Sequence, residues 1–124
     1  MMTNASTDFD KEYLRTWIEP DPDRRRAIID RLWSPSGRMS VSSLGVTIEG
    51  VDAIAVHIAG VHDELITGKG LAFSYDQHVE SGDALLLRWS MTAPNGEVVG
   101  RGADVISRGE DALISSVHMF MGVD

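Results

Sequence analysis

The chain has 124 residues, of which 43% are hydrophobic and 24% charged, so it is sized for one domain around one core. Asp and Glu number 19 against 11 Lys and Arg, and the net charge of −8 disfavours nucleic acid and anionic membrane surfaces as partners. The chain has no cysteine, which excludes disulfide bonds, a thiolate nucleophile and a cysteine-based zinc site.

The beginning of the chain has neither the basic nor the apolar part of a signal peptide. No apolar run approaches the roughly 20 residues that a membrane-spanning helix needs. We therefore expect a soluble, cytoplasmic protein. Residues 1–7 are predicted to be a disordered tail, and residues 8–124 a single domain.

Three helices are predicted in the first half of the domain. Over residues 8–19, apolar side chains recur at three- and four-residue intervals, and a proline ends the pattern. Asp21 followed by Pro22 is typical of a helix N-cap and first turn, and the apolar stripe of this second helix runs to Trp33. A third helix is predicted over residues 51–66, where a glycine-rich segment ends it.

The remaining elements are predicted to be strands. Residues 34–37 are expected to end the second helix, and two short, weakly patterned strands follow before the third. Beyond Gly70, turn signals arrive every dozen or so residues and delimit four longer strands. The predicted strands cover residues 38–43, 45–49, 71–80, 84–93, 97–107 and 112–121. Helices followed by short hairpin connections predict an α+β fold, with about three helices on one face of a curved antiparallel sheet.

Period-two alternation assigns side chains to the faces of the sheet. In the second long strand, Trp89 shares the inward face with other large apolar residues. The last strand is ambiguous, because either face could be buried. In the third strand Gly100, Gly102 and Asp104 share one face, and glycine inside a strand marks a bend, a bulge or the close approach of another group.

Taken in order, these residues resemble the SnoaL-like branch of the nuclear transport factor two superfamily, which includes polyketide cyclases, ketosteroid isomerases and limonene epoxide hydrolases. The resemblance covers nearly the whole chain and rests on the order and spacing of short motifs. These are Tyr13-Leu14-x-x-Trp17, Leu32-Trp33-Ser34-Pro35, Glu49-Gly50-x-x-Ala53-Ile54, Arg88-Trp89 and Gly102-Ala103-Asp104-Val105. It implies a cone-shaped α+β domain with a cystatin-like fold, and a homodimer.

The resemblance also implies candidate catalytic residues. Asp104 lies where cyclases keep an acid/base aspartate and where isomerases keep a protonated aspartic acid, and a carboxyl in an apolar cavity can serve either purpose near neutral pH. Tyr13 lies at the position of the isomerase oxyanion tyrosine. His57 matches a pocket-facing position and could pair with Asp104 as an acid/base dyad. The proton-abstracting aspartate of the isomerases has no counterpart around Ser43, so steroid isomerisation is not predicted.

A set of broad or flexible apolar side chains is predicted to bind a small, largely apolar ligand, polyketide- or steroid-like. It consists of Trp17, Trp33, Ile58, Leu87, Trp89, Met91, Val117, Met119 and Met121. The same residues could be ordinary core. Tyr13 and His57 could likewise be buried without a function, and Asp104 could be a structural carboxylate paired with Arg88 or Arg101.

The predicted function is cofactor-free isomerisation or cyclisation of such a molecule by acid/base chemistry. The alternatives are a noncatalytic binding domain and a dimeric interaction domain whose cone is filled by its own side chains. No histidine spacing suggests a metal site, and no metal or cofactor is expected. The outward face of the sheet mixes apolar and charged residues in a way that suits a homodimer interface. This face carries Leu86, Arg88, Val99 and Arg101, together with His118 and Phe120 if that side of the last strand faces outward.

Overall fold

The structure is a computed structural model that describes residues 5–122. Its helices are α1 (Ala5–Ile18), α2 (Pro22–Leu32) and α3 (Val51–Val61), and a π-helical turn (His62–Gly68) continues α3. Its strands are β1 (Trp33–Val41), β2 (Val46–Glu49), β3 (Ala72–Ser81), β4 (Ala84–Thr92), β5 (Val98–Arg108) and β6 (Ile114–Met121). The predicted α+β class is confirmed.

The six strands form one curved, unclosed sheet in the order β2-β1-β6-β5-β4-β3. Four neighbouring pairs are antiparallel, as expected from the hairpin connections, but β1 and β6 are parallel. The sheet is therefore mixed. The parallel pair joins strands more than 70 residues apart in the chain, and no local pattern in the sequence reveals such a pairing.

The start of α1 and the end of α2 differ from the predictions. Helix α1 already begins at Ala5, so only residues 1–4 of the expected tail lie outside the described part of the chain. Residues 34–37 were predicted to be a loop, yet they belong to β1, which begins at Trp33 directly after α2. The β1–β6 register is irregular between Trp33 and Arg38, where Pro35 has no N–H for a regular ladder. The predicted third helix ends at Val61 and passes into the wider π-helical turn.

The residues that face the helices form rows across the central strands. The register aligns Leu85, Ile106 and Val117 in one row, Leu87, Asp104 and Met119 in the next, and Trp89, Gly102 and Met121 in a third. The predicted inward face of β4 is confirmed by its burial. The face of β6 that the sequence left open is also decided, because Val117 is fully buried whereas Phe120 is 44% exposed.

The three helices pack on this inner face and close one part of it completely. Ile29 of α2 and Ile54 and Ile58 of α3 are buried in one cluster with Trp33 and the first row of sheet residues. On α1, aromatic rings follow one another along the buried stripe, with centroid separations of 6.0 Å for Phe9 and Tyr13 and 6.5 Å for Tyr13 and Trp17. No helix in residues 5–122 is long and apolar enough to cross a membrane.

Candidate functional site

A cavity of about 460 Å³ lies where the helices and the sheet do not meet. The helical side of its wall comes from α1, α3 and the π-helical turn, and the sheet side from β1 with the turn after it and from β3, β4, β5 and β6. Leu44, 58% exposed, and Val56, 74% exposed, line its outer part, whereas Trp17, Trp89 and Asp104 are buried in its inner part. The cavity is therefore open at one end and mostly apolar, as small-molecule sites usually are.

Two glycines of β5 give the large side chains of β4 their positions. A Cβ atom at Gly102 would lie 2.3 Å from the Trp89 ring and 2.5 Å from the Phe120 carbonyl oxygen, and one at Gly100 would lie 2.4 Å from Met91 Cε. The indole of Trp89 consequently packs directly against the main chain at Gly102, which has no side chain. From there its Nε1–H donates a hydrogen bond of 3.0 Å to Asp104 Oδ1. These glycines were predicted to mark a bend, a bulge or a close approach. The structure shows the close approach at both, and at Gly100 it also shows a register shift in the pairing with β4.

Asp104 is a carboxyl group held in apolar surroundings. Its side chain is 2% exposed, and the hydrogen bond from Trp89 is the single one that the described structure gives it. Neither Arg88 nor Arg101 is among the causes of its pKa shift, so the structure gives no support to a structural pairing of Asp104 with these arginines. Burial raises the pKa of Asp104 from 3.8 to about 7, and the Trp89 hydrogen bond opposes part of that rise.

Tyr13 lies behind the cavity wall. Its ring is fully buried, and its hydroxyl has no hydrogen-bond partner among the described residues. Burial raises the pKa of this hydroxyl well above 10, the charge of the nearby Asp104 raises it further, and Trp17 opposes the rise slightly. Trp17 stands edge-on to the ring without forming a hydrogen bond of good geometry. Tyr13 therefore stays protonated beside Asp104, but it does not line the cavity.

The tyrosine that does line the cavity is Tyr75, which the sequence analysis did not select. It pairs in register with Trp89, and Phe73 on the same face lines the cavity beside it. Burial raises the pKa of Tyr75 well above 10, and the charge of Asp104 adds to the effect. The period-two spacing of Phe73 and Tyr75 was the available signal, but it is interrupted by a bulge between Tyr75 and Gln77.

His57 lines the cavity but does not form the predicted dyad. Its ring lies edge-on to Trp17, with centroids 6.5 Å apart, and no hydrogen bond or ion pair joins it to Asp104 in the described structure. Burial lowers the pKa of His57 below 6.5. The imidazole is therefore neutral near pH 7 and available as a separate polar group on the helical side of the cavity.

A second carboxyl group lines the outer part of the cavity on the π-helical turn. Glu64 belongs to the wall together with Ser43 from the opposite side, although an acidic residue on an exposed turn is ordinarily solvated. The turn is fixed to α1 by His62, whose buried ring donates from Nδ1 to the Trp17 carbonyl oxygen at 2.6 Å. Glu64 is exposed and has no ion-pair partner in the described residues.

The predicted ligand-binding residues divide into two groups. Wall residues are Trp17, Trp89, Met91, Met119 and Met121. The others are fully buried in the core and do not line the cavity, because the helices pack directly against the rows of the sheet that hold them. These core residues are Trp33, Ile58, Leu87 and Val117. Within residues 5–122, no group of three or more His, Asp or Glu side chains could hold a metal ion.

Solved structures similar to this one share its architecture over nearly the whole chain. A provisionally named isomerase of the SnoaL-like family from Agrobacterium tumefaciens strain C58 matches with a TM-score of 0.82 and 25% identity, over 94% of this chain and 96% of the other. A SnoaL-like protein of unknown function from Burkholderia thailandensis E264 matches with a TM-score of 0.73 and 15% identity, over 99% and 100%.

A third similar structure contains a small molecule. This protein from Catenulispora acidiphila DSM 44928 has a ketosteroid isomerase-like fold, is in complex with trimethylamine, and matches with a TM-score of 0.70 and 16% identity, over 89% of this chain and 82% of its own. No protein-family model matches the sequence. No curated protein is significantly similar to it.

Proposed function

Since the chain belongs to the SnoaL-like and nuclear transport factor two superfamily, we propose that it binds a small, largely apolar molecule in its cavity and that Asp104 transfers a proton to or from it. The observation that carries the proposal is a buried carboxyl group with a pKa of about 7 in the wall of an apolar cavity. Near neutral pH both protonation states of such a group are populated, which is the condition for general acid/base catalysis.

The surroundings of Asp104 support this role. Trp89 fixes one carboxylate oxygen by its hydrogen bond, which leaves the other free of a partner within the described structure. The hydroxyl of Tyr13 and the ring of Tyr75 lie near enough for the charge of Asp104 to raise both pKa values. Both hydroxyls therefore stay protonated. Tyr75, which lines the cavity, can donate a hydrogen bond to a ligand oxygen, whereas Tyr13 lies behind the wall. The proposed reaction is an isomerisation or cyclisation without a cofactor.

The proposal can be tested without knowing the natural substrate. In D₂O near pD 7, exchange of the α-protons of 2-tetralone, an apolar bicyclic ketone, is followed by proton NMR. We expect the protein to accelerate the exchange, and Asp104→Asn to abolish the acceleration while 2-tetralone still quenches the fluorescence of Trp17 and Trp89. The control is Glu110→Gln, an exposed carboxylate outside the cavity wall. Unchanged acceleration in Asp104→Asn would refute the catalytic role.

A noncatalytic binding protein is the second candidate. It is favoured by the cavity segment around Ser43, which contains no carboxylate, and by the lack of a hydrogen bond or ion pair between His57 and Asp104 in the described residues. In that case 2-tetralone binds without accelerated exchange, Trp89→Ala abolishes binding, and Asp104→Asn leaves it intact. A similar fold holds trimethylamine, which supports a cavity that accepts small organic molecules in either case.

We also propose that the protein forms a homodimer through the outward face of the sheet. Val99 is 52% and Phe120 44% exposed there, and exposed apolar groups on neighbouring strands favour association. Light scattering coupled to size exclusion should give the mass of a dimer, and Val99→Asp should convert it to a monomer. A monomeric parent protein would contradict this proposal. A cytoplasmic location and the absence of a metal or cofactor remain predictions from the sequence.

A further inference from the structure

The ionisable groups in the cavity wall have one sign of charge. Among the described residues, the wall contains two carboxyl groups, Asp104 and Glu64, and no lysine or arginine. His57 and Tyr75 also line it, but burial lowers the pKa of the histidine and raises that of the tyrosine, so both are neutral near pH 7. Any charge that the wall carries at that pH is therefore negative.

Aromatic rings line the same cavity from both layers of the fold. Trp17 lies on the helical side, and Phe73, Tyr75 and Trp89 lie on the sheet side. The rings of Phe73 and Trp89 are stacked, with centroids 6.5 Å apart and planes 16° from parallel. The faces of aromatic rings attract cations, and rings from several directions form the cages that recognise alkylated ammonium groups.

Asp104 also has no counterion among the described residues. An ionised carboxylate has about four acceptor sites, and the described structure fills one of them, with the Trp89 N–H. An ionised group buried without compensation is unfavourable. A positively charged ligand would offset this cost, whereas an anionic ligand would increase it and a neutral hydrocarbon would leave it unchanged.

We propose that the cavity selects a small alkylammonium ligand, a cationic amine with apolar substituents, over neutral and anionic molecules of the same shape. Asp104 is the counterion at the inner end of the cavity, the aromatic rings surround the alkyl groups, and Glu64 attracts the cation at the entrance. The inference rests on the proposed function in one respect, since the cavity must bind small molecules. It adds the charge of the ligand.

Three probes of nearly the same shape separate charge from size. Choline carries a trimethylammonium group, 3,3-dimethyl-1-butanol replaces its nitrogen with carbon, and 3,3-dimethylbutanoate is an anion. Each is titrated into the protein at about pH 8 by calorimetry, with tryptophan fluorescence as a second signal. We expect choline to bind at least about tenfold more tightly than the alcohol, because a desolvated cation–π contact alone contributes more than that factor. The anion should not bind measurably.

Substitutions that remove charge but keep shape locate the selectivity. Asp104→Asn should weaken choline binding about tenfold or more and leave the alcohol unchanged. Glu64→Gln lies on an exposed turn, where it should not disturb the fold, and should weaken choline about twofold to threefold. Glu110→Gln, exposed and outside the wall, should alter neither affinity. Thermal unfolding of each variant shows whether it is folded.

The outcomes separate this inference from the proposed function. Equal affinities for choline and the alcohol, or tighter binding of the anion, would overturn the inference and leave the proposed function in place. If none of the three probes binds while 2-tetralone does, the inference is again wrong. If 2-tetralone also fails to bind, both proposals fall. A choline preference that persists in both Asp104→Asn and Glu64→Gln would refute the roles assigned to these carboxyl groups.

Discussion

The interior of the domain has two halves that are built from the same strands. In the closed half, Leu85, Ile106 and Val117 form a row that the helices cover completely. In the open half, two rows further along, Trp89 and Met121 face each other across Gly102, and the cavity replaces the helices. Branched aliphatic side chains give way to a tryptophan, methionines and a glycine. The alternation of the strands is the same in both halves, so side-chain shape decides which half is filled.

Asp104 lies on the boundary between these halves. Its neighbours in the same row are Leu87, which is fully buried in the closed half, and Met119, which lines the cavity. The closed half removes water from the carboxyl group and raises its pKa. The open half gives a ligand access to it. A polar group entirely within the closed half would be buried without access for a ligand, and one at the entrance would be solvated.

The largest effect on stability should separate Leu87 from Met119, the two residues that pair with Asp104 in its row of the sheet. Leu87→Ala removes side-chain contacts on all sides and should lower the free energy of unfolding by about 3 kcal/mol. Met119→Ala removes a side chain that already faces empty space, and should cost only about 1 kcal/mol. Urea unfolding measures both. Equal losses would mean that the cavity is closed in solution and that the two halves do not differ.

A smaller effect on stability should come from adding a methyl group at Gly102, where Trp89 already occupies the space. Gly102→Ala would push a methyl group into the Trp89 ring and the Phe120 carbonyl, and should lower the free energy of unfolding by about 2 kcal/mol. The expected displacement of Trp89 from Asp104 should also shift tryptophan emission. Gly60→Ala is the matched control, since its Cβ meets nothing within 4 Å, and in helix α3 alanine should stabilise by about 0.5 kcal/mol. Full stability of Gly102→Ala would argue against the close approach.

The smallest effect concerns a contact between α1 and β3 outside the cavity. His78 Nδ1 lies 2.7 Å from Asp10 Oδ2, and Nε2 lies 3.3 Å from Glu80 Oε2. Burial lowers the pKa of His78, but the two carboxylates outweigh it and the net pKa lies above 6.5. The protonated contact therefore stabilises the fold below about pH 6.5, and this stabilisation is lost as the pH rises through the folded-state pKa.

We accordingly expect His78→Gln to lower the free energy of unfolding by up to about 1 kcal/mol near pH 5.5 and by much less near pH 8.5, as measured by urea unfolding at both values. His118→Gln, an exposed histidine on the outward face, is the control. A larger loss for His78→Gln at the higher pH would contradict the sign of this pH dependence.

Much of the fold could be predicted because its signals are local. Helix periodicity, turn residues and strand alternation depend on neighbours in the chain, and they placed Trp89 on the inward face. For Asp104 the alternation predicted only a face shared with Gly100 and Gly102, and the family resemblance implied its position in the pocket. The parallel pairing of β1 with β6 could not be predicted in this way. Nor could the strand from Trp33, whose Ser-Pro-Ser-Gly continuation is typical of a loop. It becomes a strand because β2 and β6 lie on either side of it.

The site was predicted less completely, because a cavity depends on where packing stops. Trp33 and Leu87 have large apolar side chains of the kind that line ligand pockets, but in this fold the helices pack over them and they belong to the core. Tyr75 was missed since a bulge interrupts its strand, and Glu64 because an acidic pair on a turn is usually solvated. No periodicity distinguishes a glutamate at a cavity entrance from one in bulk solvent. Glu64 reaches the cavity entrance only because tertiary packing fixes the π-helical turn to α1.

The proposed roles of Asp104 depend on the protonation state of its carboxyl group, which can be measured directly. The chemical shift of the Asp104 side-chain carboxyl carbon, assigned by comparison with Asp104→Asn, is followed by NMR from about pH 4 to pH 9. We predict a titration midpoint of about 7, set by burial against the single hydrogen bond from Trp89. A midpoint near 3.8 would show that Asp104 is solvated or paired, and would contradict both its proposed acid/base role and the boundary position assigned to it.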